Sequence, residues 1–336
     1  MNNIRINAYA KVNLSIDVLK RLETGYHQVE MVMQQIELHD EVFIRWFEDE
    51  NLDGVKIVLK TNKYYLPTDD RNLAYKAAQF MTELYGKDKK GIIRIDICKN
   101  IPVAAGMAGG SSNGAAVIHG LNVLWGLNKN LDELCDVGAR LGADVPFTLM
   151  GQAKANKSLG VEMNRDKMAT CCALATGIGT ELKAIPSLKA DILLSKPPIS
   201  VSTPEVYKGM KLDEIIYRPD NNKLIQGLKR RDKKQVTDNM INVLEQYTLK
   251  AYDIVADTKT KMQEVCPNAK VLMSGSGPTI FGIVSSKEEL EHGYEIMRKV
   301  NEETFKTRTL IWARGTKYII TKHYVKLSMR IWKIKY

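Results

Sequence analysis

Residues Ile101–Asn122 read IPVAAGMAGGSSNGAAVIHGLN, and the fold turns on what this stretch is. Gly106, Gly109, Gly110 and Gly114, with the adjacent Ser111 and Ser112, lie between two apolar runs. The run before them, GIIRIDICKNIPV from residue 91, is strand-like; the run after them, NGAAVIHGLNVLWGL from residue 113, is helix-like. Successive backbone N–H groups in a glycine-rich turn form a concavity for anions. A helix beginning near Ser112 adds the positive end of its dipole. Glycine suits such a turn because a Cβ would obstruct phosphate oxygens and disfavour positive φ. The two serine hydroxyls are candidate donors to phosphate, or oxygen ligands for a magnesium ion. The stretch is not a Walker A loop, because GxxxxGK followed by Ser or Thr is absent, and no HRD or DFG follows to make it a protein-kinase loop. Taken alone, it is equally a tight turn and a helix cap.

The surrounding chain narrows the choice. Its 336 residues, 44% hydrophobic and 26% charged, suit a globular protein of one large or two ordinary domains. No apolar run approaches the ~18 residues of a membrane span, and MNNIRINAYAKVNLSIDVL has no secretory pattern. A cytoplasmic protein without a membrane partner is expected. Cys98, Cys135, Cys171, Cys172 and Cys266 are odd in number and form no CxxC pair, which favours free thiols over a disulfide framework or a zinc site. The net charge is +10, but residues 306–336 hold nine Lys or Arg and no acid, so the other 305 residues are close to neutral. A basic end of this kind can adhere to RNA or anionic lipid. A solvated appendage, with no nucleic-acid partner, is the expectation adopted here.

Residues 4–19 alternate as a strand, and strand character continues through VEMVMQQIELHDEVFIRWF and VKIVLKT. DDRNLAYKAAQFMTELYG is an amphipathic helix with Asp69 or Asp70 as its cap. NLDELCDVGARLG is another helix, ADILLSKPP a strand, and 213–264 mainly helical. AKVLMSGSGPTIFGIV reads as strand, turn and strand, and SKEELEHGYEIMRKV as a last helix. The order is not a strict βαβα alternation, so the class is α+β in two halves, divided near the polar, weakly patterned stretch 152–170.

Four further features have two readings each. Lys11 shares a strand face with Tyr9 and Asn13, which marks either the solvent side or a cation placed to meet phosphate. Asp144 in GADVPF is either an N-cap ahead of Pro146 or a carboxylate that accepts a hydroxyl proton during phosphoryl transfer. Tyr26 and His27 in TGYHQ are either a surface turn or a stacking and hydrogen-bonding pair for a planar base. SGSGPTIFG, Ser274–Gly282, is either a plain turn or a second phosphate-facing one.

Together and in this order the motifs resemble those of the GHMP small-molecule kinases. IPVAAGMAGGSSNGAA is similar to the second motif of that family and SGSGPTIFG to the third. AYAKVNLSIDVLKRLETGYHQVEMVMQQIELHDEV, RNLAYKAA, LGADVPF and SKPPISVSTPEVYKG resemble the branch that phosphorylates a cytidyl diphosphate sugar alcohol. The resemblance spans roughly residues 4–305. It implies a two-domain α+β fold, with a phosphate loop in the N-terminal half and a ferredoxin-like C-terminal half. The divisions would be 1–151, a probable insertion at 152–170, 171–305, and a basic tail at 306–336. It implies a small-molecule substrate and ATP, with Mg²⁺ accompanying ATP, in a monomer or homodimer. By resemblance, Asp144 is the catalytic carboxylate, and Lys11 stands beside it to steady the transferred phosphoryl group. Asn13 holds the sugar-alcohol end, Tyr26 and Tyr207 sandwich the cytosine, His27 bonds its edge, and Thr203 lies in the same pocket. ATP would meet Asn72, Lys99, Pro102 and the loop of Ala104, Ala105, Gly106, Met107, Ala108, Gly109, Gly110, Ser111 and Ser112.

Three departures stand against the family pattern. In the family, MG at 150–151 would run almost directly into a stretch like ALATGIGTEL, so 152–170 is extra and would block the pocket if it entered the cleft. Gly114 replaces the usual alanine. The tail after about Lys306 matches nothing in the family and is expected to be peripheral to turnover. Three rival readings remain: another substrate for the same kinase chemistry, a nucleic-acid binder using its basic tail, and an inactive homologue.

Overall fold

The computed structural model describes residues 2–311. The alternating residues near the N-terminus form one long strand, β1 (Asn3–Arg21), folded back antiparallel on β2 (His27–Glu48). β3 (Val55–Thr61), α1 (Leu73–Tyr85) and β4 (Gly91–Cys98) follow, with β3 and β4 parallel as a crossover helix requires. Next come α2 (Gly109–Leu124), α3 (Leu131–Ala139), α4 (Val145–Ala155), the short α5 (Val161–Arg165), β5 (Cys172–Thr176) and β6 (Glu181–Ala184). These strands make one six-stranded sheet in the order β3-β4-β2-β5-β6, with β1 on the other side of β2.

The second half holds β7 (Asp191–Lys196), α6 (Thr203–Gly209), α7 (Asn221–Arg230), α8 (Lys233–Asp238), α9 (Glu245–Ala251) and α10 (Asp253–Val265). It is completed by β8 (Lys270–Met273), β9 (Ile280–Ile283), α11 (Lys287–Val300) and β10 (Glu303–Arg308), whose sheet runs β10-β7-β9-β8. A core of buried residues from both halves, among them Val12, Ile36, Met107, Leu194, Leu224 and Phe281, joins the two sheets.

Two divisions read from the sequence change. β5 and β6 were expected in the second half, but β5 pairs with β2, so the change of sheet falls between Ala184 and Asp191. These strands are only five and four residues long, too short for alternation to announce. The basic tail expected from 306 also begins too early. Lys306 and Arg308 are β10 residues paired to Glu291 and Glu37, and Leu310 N donates to Gln35 O at 2.8 Å. Truncation at Lys306 would therefore cut a sheet strand. Two of the nine tail cations are thus in the sheet, and the remaining seven, from Arg314 onward, lie outside the described residues.

The stretch 152–170 is neither a plain surface loop nor a plug in the cleft. It continues α4 and then turns through α5, burying Leu159 in the core of the N-terminal half with Ile4, Ile6, Leu149 and Ala153. Gln152 is fully buried and donates to Ser112 O at 2.7 Å. Asn156 accepts from Asn7 N at 2.8 Å and donates to Asn7 O at 3.1 Å, closing part of the free edge of β1. Asp144 is the N-cap of this same helix, so the added stretch begins two turns further on, about 12 Å along the helix axis from Asp144.

All five cysteines are free thiols. Burial pushes Cys135 and Cys171 up to about 12 and Cys266 to about 11, which leaves them protonated and unreactive at neutral pH. No described helix is long and apolar enough to cross a membrane.

His119 on α2 gives the first testable consequence. Its ring is fully buried, with Nε2 at 3.0 Å from Leu149 O and no partner for Nδ1. Burial lowers its pKa from 6.5 to about 4, against a smaller upward effect of the Leu149 carbonyl. The unfolded chain therefore takes up this proton first as pH falls. Stability is full above pH 6.5 and declines through the window from 6.5 to 4, by about 3 kcal/mol in total. Denaturant unfolding of His119→Gln should lack that part of the acid slope, and an unchanged slope would contradict it.

Candidate active site

β1 carries a polar stripe: Tyr9, Lys11, Asn13, Ser15 and Asp17 are all at most 8% exposed. Polar residues on one strand face ordinarily mark the solvent side, but here that face lies in the seam between the two halves. Register shifts flank Lys11 and Asn13, between Tyr9 and Lys11 and between Asn13 and Ser15, and such bulges re-aim side chains. Lys11 Nζ donates to Asn13 Oδ1 at 2.8 Å and lies 3.9 Å from Asp144 Oδ2.

Asp144 occupies the N-cap position of α4, with a proline in the first turn. Its side chain makes no capping hydrogen bond. The capping alternative therefore fails in its specific content: the carboxylate is turned to Lys11 and is one-third exposed. Tyr207 on α6 stands close enough for the Asp144 charge to add to burial in raising the phenol to about 12.

The glycine-serine stretch ends in the N-terminus of α2, which opens on Ala108 in the left-handed region, φ 55°. Its first bond within the helix is Ser112 N to Ala108 O, so the N–H groups of Gly109, Gly110 and Ser111 have no acceptor within the helix. They converge where an anion is favoured. Lys11 N donates to Met107 O at 3.2 Å, tying this loop to the strand that carries the ion pair. Gly106, at φ 69°, packs on the Ser274–Gly277 turn: an added Cβ would lie 2.3 Å from Ser274 O. Ser274 Oγ also donates to Gly106 O at 3.0 Å, so the two glycine-rich motifs meet directly.

Several expected contacts are corrected. Ser112 does not face the loop's open side. It is fully buried, and its hydroxyl donates to Tyr9 O at 2.8 Å and accepts from Gln152 at 3.1 Å. That leaves Ser111 as the serine at the surface of the turn. Pro102, Ala105 and Met107 are buried, so only their backbones border the loop. Asn72 caps α1, accepting from Ala74 N at 3.0 Å and donating to Pro67 O at 2.9 Å. Leu73 Cδ1 would lie 3.5 Å from a Cβ at Gly110, and Leu73 O 3.3 Å from one at Gly114. The first turns of α1 and α2 therefore abut, and glycine in place of the family's alanine at 114 eases that contact.

Tyr26 is 64% exposed and has no ring partner among the described residues. His27, not Tyr26, packs on Tyr207, with ring centroids 5.2 Å apart and planes tilted by 40°. Burial, then the Arg21 charge, lowers the His27 pKa, which favours a neutral imidazole. Thr203 Oγ1 shares a 2.7 Å hydrogen bond with Ser276, so α6 is tied to the third motif. Asp40 was not singled out from the sequence, because a lone acid in a strand carries no pattern. It is fully buried and bonds Lys99, the backbone at 100–101 and Asn113.

The chain is similar to known proteins over most of its length. The profile described as GHMP kinases N terminal domain matches residues 72–152, and GHMP kinases C terminal matches 224–303. The 4-diphosphocytidyl-2-C-methyl-D-erythritol kinase of Clostridioides difficile (strain 630) is 44% identical over 306 residues, covering 90% of this chain and 94% of that one. The protein of the same name from Alkaliphilus oremlandii (strain OhILAs) is 42% identical over 312 residues, covering 92% and 97%. A crystal structure of 4-(cytidine 5'-diphospho)-2C-methyl-D-erythritol kinase superposes with a TM-score of 0.72 at 26% identity, covering 91% of this chain and 99% of that one. Homoserine kinase from Cytophaga hutchinsonii, at 17% identity and a TM-score of 0.66 over 93% and 95% of the two chains, shares the fold. By its motifs, its sheets and these relatives, this chain belongs to the GHMP kinases, in the branch of the 4-diphosphocytidyl-2-C-methyl-D-erythritol kinases.

Proposed function

We propose that this chain transfers the γ-phosphoryl group of ATP to the 2-hydroxyl of 4-diphosphocytidyl-2-C-methyl-D-erythritol, a step of non-mevalonate isoprenoid precursor synthesis. The observation that carries the reading is the Lys11–Asp144 pair, 3.9 Å apart, with the loop bonded to the Lys11 backbone on one side and Tyr207 on the other. ATP would lie with its phosphates on the N–H groups of Gly109, Gly110 and Ser111. Asp144 would accept the hydroxyl proton as the oxygen attacks phosphorus, and ADP would leave. Lys11 would neutralise charge on the group in transit, which is where phosphoryl transfer gains most.

Tyr207 and His27, packed ring to ring, would form the wall on which a cytosine rests, and the exposed Tyr26 would close over it. Asn13 would reach the sugar-alcohol end and Thr203 the pyrophosphate side. Mg²⁺ would accompany ATP: a hard cation carried on the phosphates needs only one or two protein oxygens, and the Ser111 hydroxyl at the start of α2 would offer one. When bound, it would draw charge from the phosphate oxygens.

The test is ADP release by purified protein with ATP, Mg²⁺ and the cytidyl substrate, set beside mevalonate, homoserine and galactose. Turnover with the cytidyl compound alone is expected. Turnover with another alcohol instead would move the chain to a different substrate within the same kinase chemistry.

A further inference from the structure

A phosphate loop keeps its shape only if something holds both of its ends, here near Ile101 and Gly109. Asp40, on β2, does so with one fully buried carboxylate. Its Oδ1 accepts from Asn100 N at 2.7 Å and Ile101 N at 2.8 Å, where the loop begins. Its Oδ2 accepts from Lys99 Nζ and, at 2.8 Å, from Asn113 Nδ2 in the second turn of α2, just past the loop's end. Lys99 Nζ also donates to Asn113 Oδ1 at 3.3 Å, closing a three-residue ring of hydrogen bonds. The Lys99 side chain is only 6% exposed, and its amine would lie 3.0 Å from a Cβ at Gly109. The ammonium therefore sits against the first residue of α2.

We infer that Asp40 is a positioning residue for the nucleotide. It sets the span of the phosphate loop by holding both of its ends, and it aims the Lys99 ammonium at the start of α2. A carboxylate suits the task because it has only acceptors, and all four groups around it are donors. An amide cannot replace it, since the substitution Asp40→Asn would turn an NH₂ toward donors. The inference rests on the kinase reading above for the nature of the anion, but not on the identity of the phosphoryl acceptor.

The test separates the two. Binding of ATP, ADP and adenosine is measured by calorimetry on the full chain, and KM for ATP and for the cytidyl substrate by ADP release. Asp40→Asn should weaken ATP binding and raise KM for ATP by roughly ten- to a hundredfold, because a hydrogen bond from the displaced loop to a charged phosphate is worth about that much. Adenosine affinity and KM for the cytidyl substrate should change less than twofold. Asn113→Leu, which keeps the size and removes the donor, should shift the same quantities the same way by a smaller factor, and it serves if Asp40→Asn does not fold. In a Lys99→Met background, the additional effect of Asp40→Asn should shrink, because part of its action passes through Lys99. ATP affinity within twofold of the parent in a folded Asp40→Asn protein, or in Asn113→Leu if that is the only folded variant, overturns the inference. So does equal weakening of adenosine and ATP. Absence of turnover on the cytidyl substrate, with the split between ATP and adenosine intact, would overturn the substrate assignment and leave Asp40 in its role.

Discussion

Asp144→Asn should lower kcat with the cytidyl substrate by roughly 10²- to 10⁴-fold, the contribution usual for a positioned general base. KM for both substrates should stay close to the parent value, so that kcat and kcat/KM fall together, as they do when an interaction made only in the transition state is lost. The structure makes this substitution unusually clean. The Asp144 side chain contributes no capping hydrogen bond to α4, so asparagine removes none. Its partner Lys11 keeps the hydrogen bond to Asn13 at 2.8 Å. A second signature follows from Tyr207. Burial is the larger cause of its raised pKa of about 12, and the Asp144 charge the smaller. In Asp144→Asn the Tyr207 phenol should titrate lower while burial still holds it above the ordinary 10. NMR of ring-labelled tyrosine would follow this. A shift of Tyr207 with undiminished turnover would remove Asp144 from the chemistry while confirming where it lies.

What the sequence disclosed and what it hid divide along physical lines. The long strands β1 and β2 and the helices α1, α2, α3 and α11 have period and length enough to be read directly. α2 starts at Gly109 rather than near Ser112, because two glycines at a helix start look like loop. Of α4 the sequence offers only a start, Asp144 as N-cap ahead of Pro146, and not its extent: the helix is buried nearly all round, from Val145 to Ala153, and so has no polar face to betray its period. Gln152 and Lys154 make its last turn look like the start of a polar insertion, although Gln152 is fully buried.

At the site, motif order supplied Lys11, Asp144 and the glycine-serine loop, but not the direction of each side chain. Ser111 and Ser112 are neighbours on a helix and cannot face the same way; the structure gives Ser112 to Tyr9 and Gln152. The face of Tyr9, Lys11 and Asn13 keeps the solvent side open as a reading because a strand's period does not distinguish water from a seam between two halves. Asp40 was invisible for a different reason. Its meaning lies in four donors from three places along the chain, and only tertiary structure brings Lys99, Asn100, Ile101 and Asn113 to one carboxylate.

Gly106→Ala should be the most damaging single-methyl change in the loop. Gly106 sits at φ 69°, where any side chain is strained, and the new Cβ would lie 2.3 Å from Ser274 O and 2.8 Å from Gly277 O. Both obstacles are backbone atoms of a turn that is itself pinned: Asn242 Nδ2 donates to Met273 O and Gly275 O, each at 2.8 Å. Neither side can yield without moving the loop off the turn, which also breaks the bond from Ser274 Oγ to Gly106 O. Displacing the loop by about 1 Å should reduce kcat/KM for ATP by about a hundredfold. The dihedral strain alone is worth only about 1 kcal/mol. Gly126→Ala separates the two effects: it has nearly the same φ, 60°, and nothing within 4 Å of the added carbon. Steady-state kinetics and thermal unfolding of both variants decide the matter. If the contact between the two glycine-rich motifs holds the phosphate site, Gly106→Ala loses activity far beyond any loss of stability, while Gly126→Ala loses only the small stability increment. Equal losses in the two variants would mean that backbone strain, and not the meeting of the motifs, is what Gly106 relieves.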